Sequence, residues 1–183
     1  MILGFSGLIA SGKDAAARRL IQRGAIQVNF SFALKAEILR IMPRTVSAIL
    51  RLNRWPMPQD AEMMRRAVYE EKPPGIRELL QEWGTDLRRT EDPDYWIKRW
   101  SEVAGHLLIN DRPATVVTTD VRFPNEAQAI KDCGGLVVRI HRPGQVAGSH
   151  ISEHALDAWP FDAAIDNDGS LEDLWDEVDR LTI

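Results

Sequence analysis

The most constraining stretch of this sequence runs from Ile2 to Gly24. Ile2-Leu3-Gly4-Phe5 is a short apolar run of the kind that makes a fully buried parallel strand. Gly7-Leu8-Ile9-Ala10-Ser11-Gly12-Lys13 follows directly. From Asp14 to Arg23 the residues favour a helix, and Gly24 sits where a C-terminal cap belongs. Between a strand and a helix, G-x-x-x-x-G-K is the pattern of a phosphate-binding loop. Glycines let successive backbone N–H groups turn inward around phosphate oxygens, and the helix N-terminus adds partial positive charge. Lys13 would hold the β- and γ-phosphates of a nucleoside triphosphate. The candidate contacts are Gly7, Ala10, Ser11, Gly12, Lys13, Asp14 and Ala15. A glycine-rich turn with a chance lysine is the alternative, and both flanks speak against it. The Ser or Thr expected after the lysine is replaced by Asp14, and Ala15 supplies no hydroxyl either. Asp14 can bind Mg²⁺ directly or through water, or serve only as a favourable acid in the first helical turn.

Further strands are expected at Ala25 to Phe30, Thr115 to Thr119, Leu136 to Ile140 and Ala163 to Ile165. Between them, helices are expected at Ala33 to Ile41, stopping before Pro43, and from about Asn125 to Asp132. Residues 45 to 111 read as almost entirely helical, broken at Pro56, Pro58, Pro73-Pro74-Gly75, Gly84 and Pro93. Residues 142 to 158 lack a clear period and read as a loop or lid. Ser170 is a good N-cap for a last helix whose Leu171, Leu174, Trp175, Val178 and Leu181 share a face. Strands separated by helices predict an α/β fold with a central parallel sheet of about five strands. Ligands of such sheets bind beyond the carboxyl ends of the strands, where the loop at Gly7 lies.

With 183 residues, one domain is expected, without a linker that would divide it. The net charge of −4 lacks the basic excess of a protein whose main partner is a nucleic-acid backbone, so stable nucleic-acid binding is not expected. Cys133 is the only cysteine, so nothing points to an oxidising compartment. No apolar stretch approaches the roughly 20 residues of a membrane helix, and the start is too short and too rich in Gly and Ser for a signal peptide. The cytoplasm is the expected location, the host's if the source is viral.

Beyond the loop, several segments carry a resemblance. They are Phe32-Ala33-Leu34-Lys35; Leu80-Gln81-Glu82-Trp83-Gly84-Thr85-Asp86 with Arg89 and then Asp92-Pro93-Asp94-Tyr95-Trp96; Thr119-Asp120-Val121-Arg122-Phe123-Pro124-Asn125-Glu126; Arg139 and Arg142; Ser149-His150-Ile151-Ser152-Glu153; and Asn167-Asp168-Gly169. Together with the loop they make the chain resemble the phage-type deoxynucleoside monophosphate kinases, a branch of the P-loop nucleotide kinases, almost to its C-terminus. The resemblance implies a single P-loop kinase domain with a helical acceptor-binding region at about 32 to 111 and a lid at about 142 to 158. It also implies transfer of the γ-phosphate of ATP to a (deoxy)nucleoside monophosphate with Mg²⁺, and a dimer.

Within that frame Lys35 and Arg89 would clamp the acceptor's phosphate in line with the donor; solvated surface cations are the plainer reading. Phe32, Trp83 and Trp96 would face the acceptor, although tryptophans in helical stretches are often core. Asp120, ending a strand, would hold Mg²⁺ with Asp14 or touch the acceptor; a turn aspartate is the competing role. Arg122, Arg139 and Arg142 would neutralise the phosphates, with Lys13, Arg122 and Arg142 as the catalytic cations. Glu153 would contact the substrate. Asn167 and Gly169 would touch the donor adenine, or serve as ordinary turn residues. His150 and His154 have the spacing of a helical metal pair, but no nearby cysteine or third histidine completes it, and no zinc is expected.

Two other functions fit parts of this pattern. One is a P-loop kinase of a different acceptor, a dephospho-CoA-like molecule or a modified base in DNA. The other is an ATP-binding regulatory module without a second substrate, which would have little need of the helical block.

Overall fold

The computed structural model describes residues 1–56, 60–110 and 115–181. Its elements in chain order are β1 (Ile2–Ser6), α1 (Lys13–Gln22), β2 (Ile26–Gln27), α2 (Ser31–Ile41), α3 (Pro43–Leu52), α4 (Ala61–Arg66), α5 (Ile76–Gln81), α6 (Arg89–Glu91), α7 (Tyr95–Asn110), β3 (Val116–Thr118), α8 (Pro124–Asp132), β4 (Leu136–His141), β5 (Ala163–Asp166) and α9 (Leu171–Arg180). Wider π-helical turns occupy Ala67–Glu71 and Glu82–Arg88. The chain forms two compact units, a sheet unit of Met1–Phe30 with Trp100–Ile183 and a helical unit of Ser31–Arg99.

In the sheet unit five parallel strands lie in the order β2-β3-β1-β4-β5. All five residues of β1 are buried, as a central parallel strand covered on both faces must be. Full burial of Leu3 and Phe5 is worth about 2 kcal/mol each. They pack with Ala16, Ala17 and Leu20 of α1, Val138 and Ile140 of β4, and Leu174 and Val178 of α9. Because β3 and β4 flank β1, its exit loop opens at the middle of the sheet's carboxyl edge, the ligand-binding position of open α/β sheets. Ser170 caps α9, its hydroxyl accepting from Asp173 N–H at 3.2 Å.

The strand expected over 25 to 30 is cut to Ile26–Gln27. Asn29 spends its side chain on Thr119, accepting from that residue's N–H at 2.9 Å and donating to its hydroxyl at 3.1 Å. Phe30 N–H donates to the Asp120 carboxylate at 3.0 Å. Side-chain bonds thus replace the backbone ladder there.

The helical unit has its own core of Leu34, Ile38, Val46, Leu50, Val68 and Ile76. Pro43 starts α3 in the first turn rather than merely following α2, a position where its missing N–H costs nothing. Gly84 does not break the chain as expected; it lies within the π-helical turn. Its carbonyl accepts from the Trp96 indole at 2.9 Å. Pro58 and the end of the helical block at residue 111 fall outside the described residues. The segment expected as a loop or lid carries one 3₁₀ turn, Ile151–Glu153, and its Leu156 is only 3% exposed. Among the described residues no helix is long and apolar enough to cross a membrane.

Candidate functional site

The loop after β1 is shaped by backbone conformations that most residues avoid. Gly7 and Gly12 have φ of 146° and 111°, and Ala10 sits in the left-handed region at 63°. A methyl group on Gly7 would collide with the Ile140 carbonyl oxygen, and one on Gly12 with the Asn167 amide. Both positions therefore require glycine for space as well as torsion. Asn167 donates its amide to Ser11 O at 2.8 Å, so it braces this loop from outside. Lys13 opens α1 and folds back, donating from Nζ to Gly7 O at 2.8 Å and Leu8 O at 2.5 Å. Burial pushes the Lys13 ammonium down to about 8; Arg122 and, less strongly, Arg139 add to this, while Asp14 and Glu153 oppose it.

Beside the loop lies a pocket whose lining includes Ser6, Gly7, Arg122, Arg139, Ser152 and Glu153. The β1–β4 register pairs Ser6 with Arg139, which brings that arginine to the loop's entrance. Its guanidinium lies 3.6 Å from the Asp157 carboxylate and 5.4 Å from the centre of the Phe161 ring. Arg122 is set from its backbone: its N–H donates to the buried Glu126 carboxylate at 2.7 Å, and Phe123 N–H donates to the same oxygen at 3.1 Å. Its side chain donates to Ser152 Oγ at 3.1 Å and lies 3.8 Å from Glu153. The Glu153 side chain is 8% exposed and accepts from Gly148 N–H at 3.1 Å. Two guanidinium groups and one buried carboxylate thus line one small space beside Lys13's loop, an arrangement suited to an anion that also carries a hydrogen-bond donor.

The remaining sequence candidates in this unit are more spread. Asp14 is exposed in the first turn of α1. The Ala15 carbonyl accepts from the Trp175 indole at 3.1 Å. Asp120 holds Phe30 N–H with one carboxylate oxygen. Arg142 is exposed just beyond β4 and does not line the pocket. Gly169 is exposed beside the α9 cap, with the Asp173 carboxylate against it.

In the helical unit Lys35 is buried, its Nζ 5.6 Å from the Phe32 ring centre and 5.3 Å from that of Tyr69. Tyr69 OH donates to Phe32 O at 3.2 Å. Trp83 is partly buried and donates its indole N–H to Glu37 at 2.8 Å. Trp96, 4% exposed, is a core residue of this unit and offers no open face to a ligand. Arg89 is partly buried.

Several site residues carried no assignment from the sequence. Glu37 accepts from Trp83, from Arg88 at 2.9 Å and from Tyr95 OH at 2.8 Å, and the Arg88 guanidinium lies over both rings. Burial works against ionisation of Glu37, yet these hydrogen bonds prevail and hold it below the usual carboxylate range. Nothing local in the sequence announces this hub. Glu126 could have been found: a glutamate three residues after the cap position, with proline opening the helix, is an N-terminal helix signature. Ser152 and Asp157 are revealed only by tertiary packing.

A family model described as deoxynucleotide monophosphate kinase matches residues 53–178. A putative deoxynucleotide monophosphate kinase of Acanthamoeba polyphaga mimivirus is 28% identical over 195 residues, covering 97% of this chain and 94% of that protein. The deoxynucleotide monophosphate kinase of Enterobacteria phage T4 is 34% identical over 106 residues, 56% of this chain and 43% of the phage protein. That of Escherichia phage RB69 is 32% identical over 108 residues, 58% and 44%, so the chain spans less than half the length of either phage relative. Among solved structures, dephospho-CoA kinase from Campylobacter jejuni is 14% identical with a TM-score of 0.47, covering 98% of this chain and 94% of that one, too little likeness to add to the fold read from the sheet. The family match takes in most of the chain, and the chain belongs to the deoxynucleotide monophosphate kinase family.

Proposed function

We propose that this protein transfers the γ-phosphate of ATP directly to a (deoxy)nucleoside monophosphate, giving the diphosphate and ADP. The observation that carries the reading is the glycine-locked loop with Lys13 at the start of α1, beside a pocket lined by Arg122 and Arg139. An oxygen of the acceptor's phosphate attacks the γ-phosphorus as the bond to the β,γ-bridging oxygen breaks, without a covalent enzyme intermediate. Lys13 is held by loop carbonyls. Phosphate oxygens would take over those hydrogen bonds and favour the charged ammonium.

Arg122, Arg139 and Arg142 are proposed to offset charge on the transferred group. Phe32, Lys35, Trp83 and Arg89 are proposed to hold the acceptor. Glu153 would take a donor group of a substrate, and Asn167 would act chiefly by bracing the loop. In donor chemistry either carboxylate suits Mg²⁺, which keeps several waters and asks the protein for only one or two carboxylates besides the nucleotide's own oxygens; Asp14 is exposed in the first turn of α1, and Asp120 has one carboxylate oxygen on Phe30 N–H. Asp14 and Asp120 would hold it, and when bound it screens the charge of the β- and γ-phosphates. We place the reaction in the cytoplasm, the host's if the source is viral, in a protein that can pair with a second copy and needs no nucleic acid.

ATP consumption measured against free ribo- and deoxynucleoside monophosphates, dephospho-CoA and DNA tests this. Turnover with at least one deoxynucleoside monophosphate is expected. Silence with every monophosphate, or turnover with dephospho-CoA or DNA alone, overturns it.

A further inference from the structure

We propose that His150 is a positioning residue for Arg122, acting through the Ser152 hydroxyl. This rests on the reading above that Arg122 faces the transferred phosphate.

Arg122 is fixed at its backbone by Glu126, but its long side chain is 38% exposed and needs aiming. The close partner of its Nη1 in this unit is Ser152 Oγ at 3.1 Å; Glu153 lies farther, at 3.8 Å. A serine hydroxyl rotates freely, so it directs an arginine only when something holds its hydrogen. His150 Nδ1 does so, 2.8 Å from Ser152 Oγ. That nitrogen also accepts from Ser152 N–H at 3.2 Å, which it can do only unprotonated. The hydrogen-bond pattern therefore assigns the ring proton to Nε2. With Nδ1 taking the hydroxyl hydrogen, a lone pair of Ser152 Oγ is left pointing at Arg122.

The ring is kept in this orientation at a cost. His150 Nε2 is buried and has no hydrogen-bond partner, an expense that an alanine or leucine at this position would not incur. A chain of His150, Ser152 and Arg122 explains why an imidazole is there.

The test is steady-state transfer by the purified full-length protein carrying H150A, H150N, S152A, R122A and the H150A/R122A pair, with thermal melts alongside. H150A and S152A should each lower kcat about tenfold with little change in KM for ATP, the mark of an interaction realised in the transition state. Asn Oδ1 can occupy the place of Nδ1, so H150N should recover most of the rate. H150A/R122A should be no slower than R122A alone, because both changes remove the same interaction. The proposal is overturned if S152A keeps the wild-type kcat, or if the H150A loss adds in full to that of R122A. S152A leaves the imidazole in place and decides the matter even if H150A melts too early to assay. Full transfer by R122A would remove the reading of Arg122 itself, and this proposal with it.

Discussion

The two units hold their polar side chains by opposite means. In the sheet unit the backbone comes first: positive φ at Gly7, Ala10 and Gly12 shapes a loop, and strand register sets Arg139 beside it. In the helical unit side chains hold one another, with Glu37 collecting donors from Trp83, Arg88 and Tyr95. A site built on backbone geometry tolerates few residue types at a few positions, and its cations rest on contacts, such as those of Lys13 with Gly7 O and Leu8 O, that phosphate oxygens can replace. A site built on a side-chain hub is already satisfied, so the Arg88 guanidinium and the Trp83 indole N–H are less available to a ligand than their types suggest, and Trp83 has its ring rather than its donor to offer an acceptor.

The largest test of this contrast is Gly7→Ala. The torsion is strained for alanine and the methyl meets the Ile140 carbonyl, so stability should fall by about 3 kcal/mol and nucleotide binding should be lost. A melting temperature near wild type with ATP affinity intact would break the comparison on the sheet side. On the helical side, Glu37→Ala strands the Trp83 and Tyr95 donors, while Arg88 can turn to solvent. A loss of about 2 kcal/mol in urea unfolding is expected.

Acid should reproduce part of that loss. The Glu37 carboxyl is lower in the folded than in the unfolded chain. Its contribution is therefore present above the unfolded value and disappears as pH falls through the folded one, below 4.5. In the Glu37→Ala variant this part of the acid sensitivity should vanish.

Lys13 titrates in the opposite sense for binding. It is charged in the free protein below about 8 and loses its proton above that, whereas bound phosphates favour the charged form. ATP binding above pH 8 must then take up a proton, and affinity should weaken by up to about tenfold per pH unit. Calorimetry in buffers of different ionisation enthalpy checks the proton uptake; affinity unchanged to pH 9.5 would contradict it. The smallest effect is expected from Trp96→Phe, which leaves Gly84 O without its indole donor. It should cost about 1 kcal/mol and leave the acceptor KM within about twofold, as befits a core residue rather than a pocket wall.

What could be read from the sequence follows the same division. The β1-loop-α1 opening, α9 with its Ser170 cap and the buried β4 run are local patterns, and the structure has them where periodicity and caps put them. The shortened β2 was out of reach, because Asn29 and Asp120 intervene through partners about ninety residues away in the chain. That Arg122 and Arg139 line the pocket while Arg142 does not follows from the pairing of Ser6 with Arg139 and the capping of α8 by Glu126, and three arginines look alike along a chain. Gly84 looked like a breaker because a π-helical turn and its Trp96 bond have no local signature. The Glu37 hub draws on residues 46 to 58 positions away, and no periodicity reports that.

The proposed transfer depends most directly on the loop and its lysine. Transfer of the labelled γ-phosphate of ATP to a panel of deoxynucleoside monophosphates, by wild type and Lys13→Ala side by side, measures it. The wild type should pass label to at least one monophosphate. The variant should melt near wild type and transfer about a thousandfold or more slowly. Label transfer by Lys13→Ala at close to the wild-type rate, or label reaching no monophosphate at all, would contradict it.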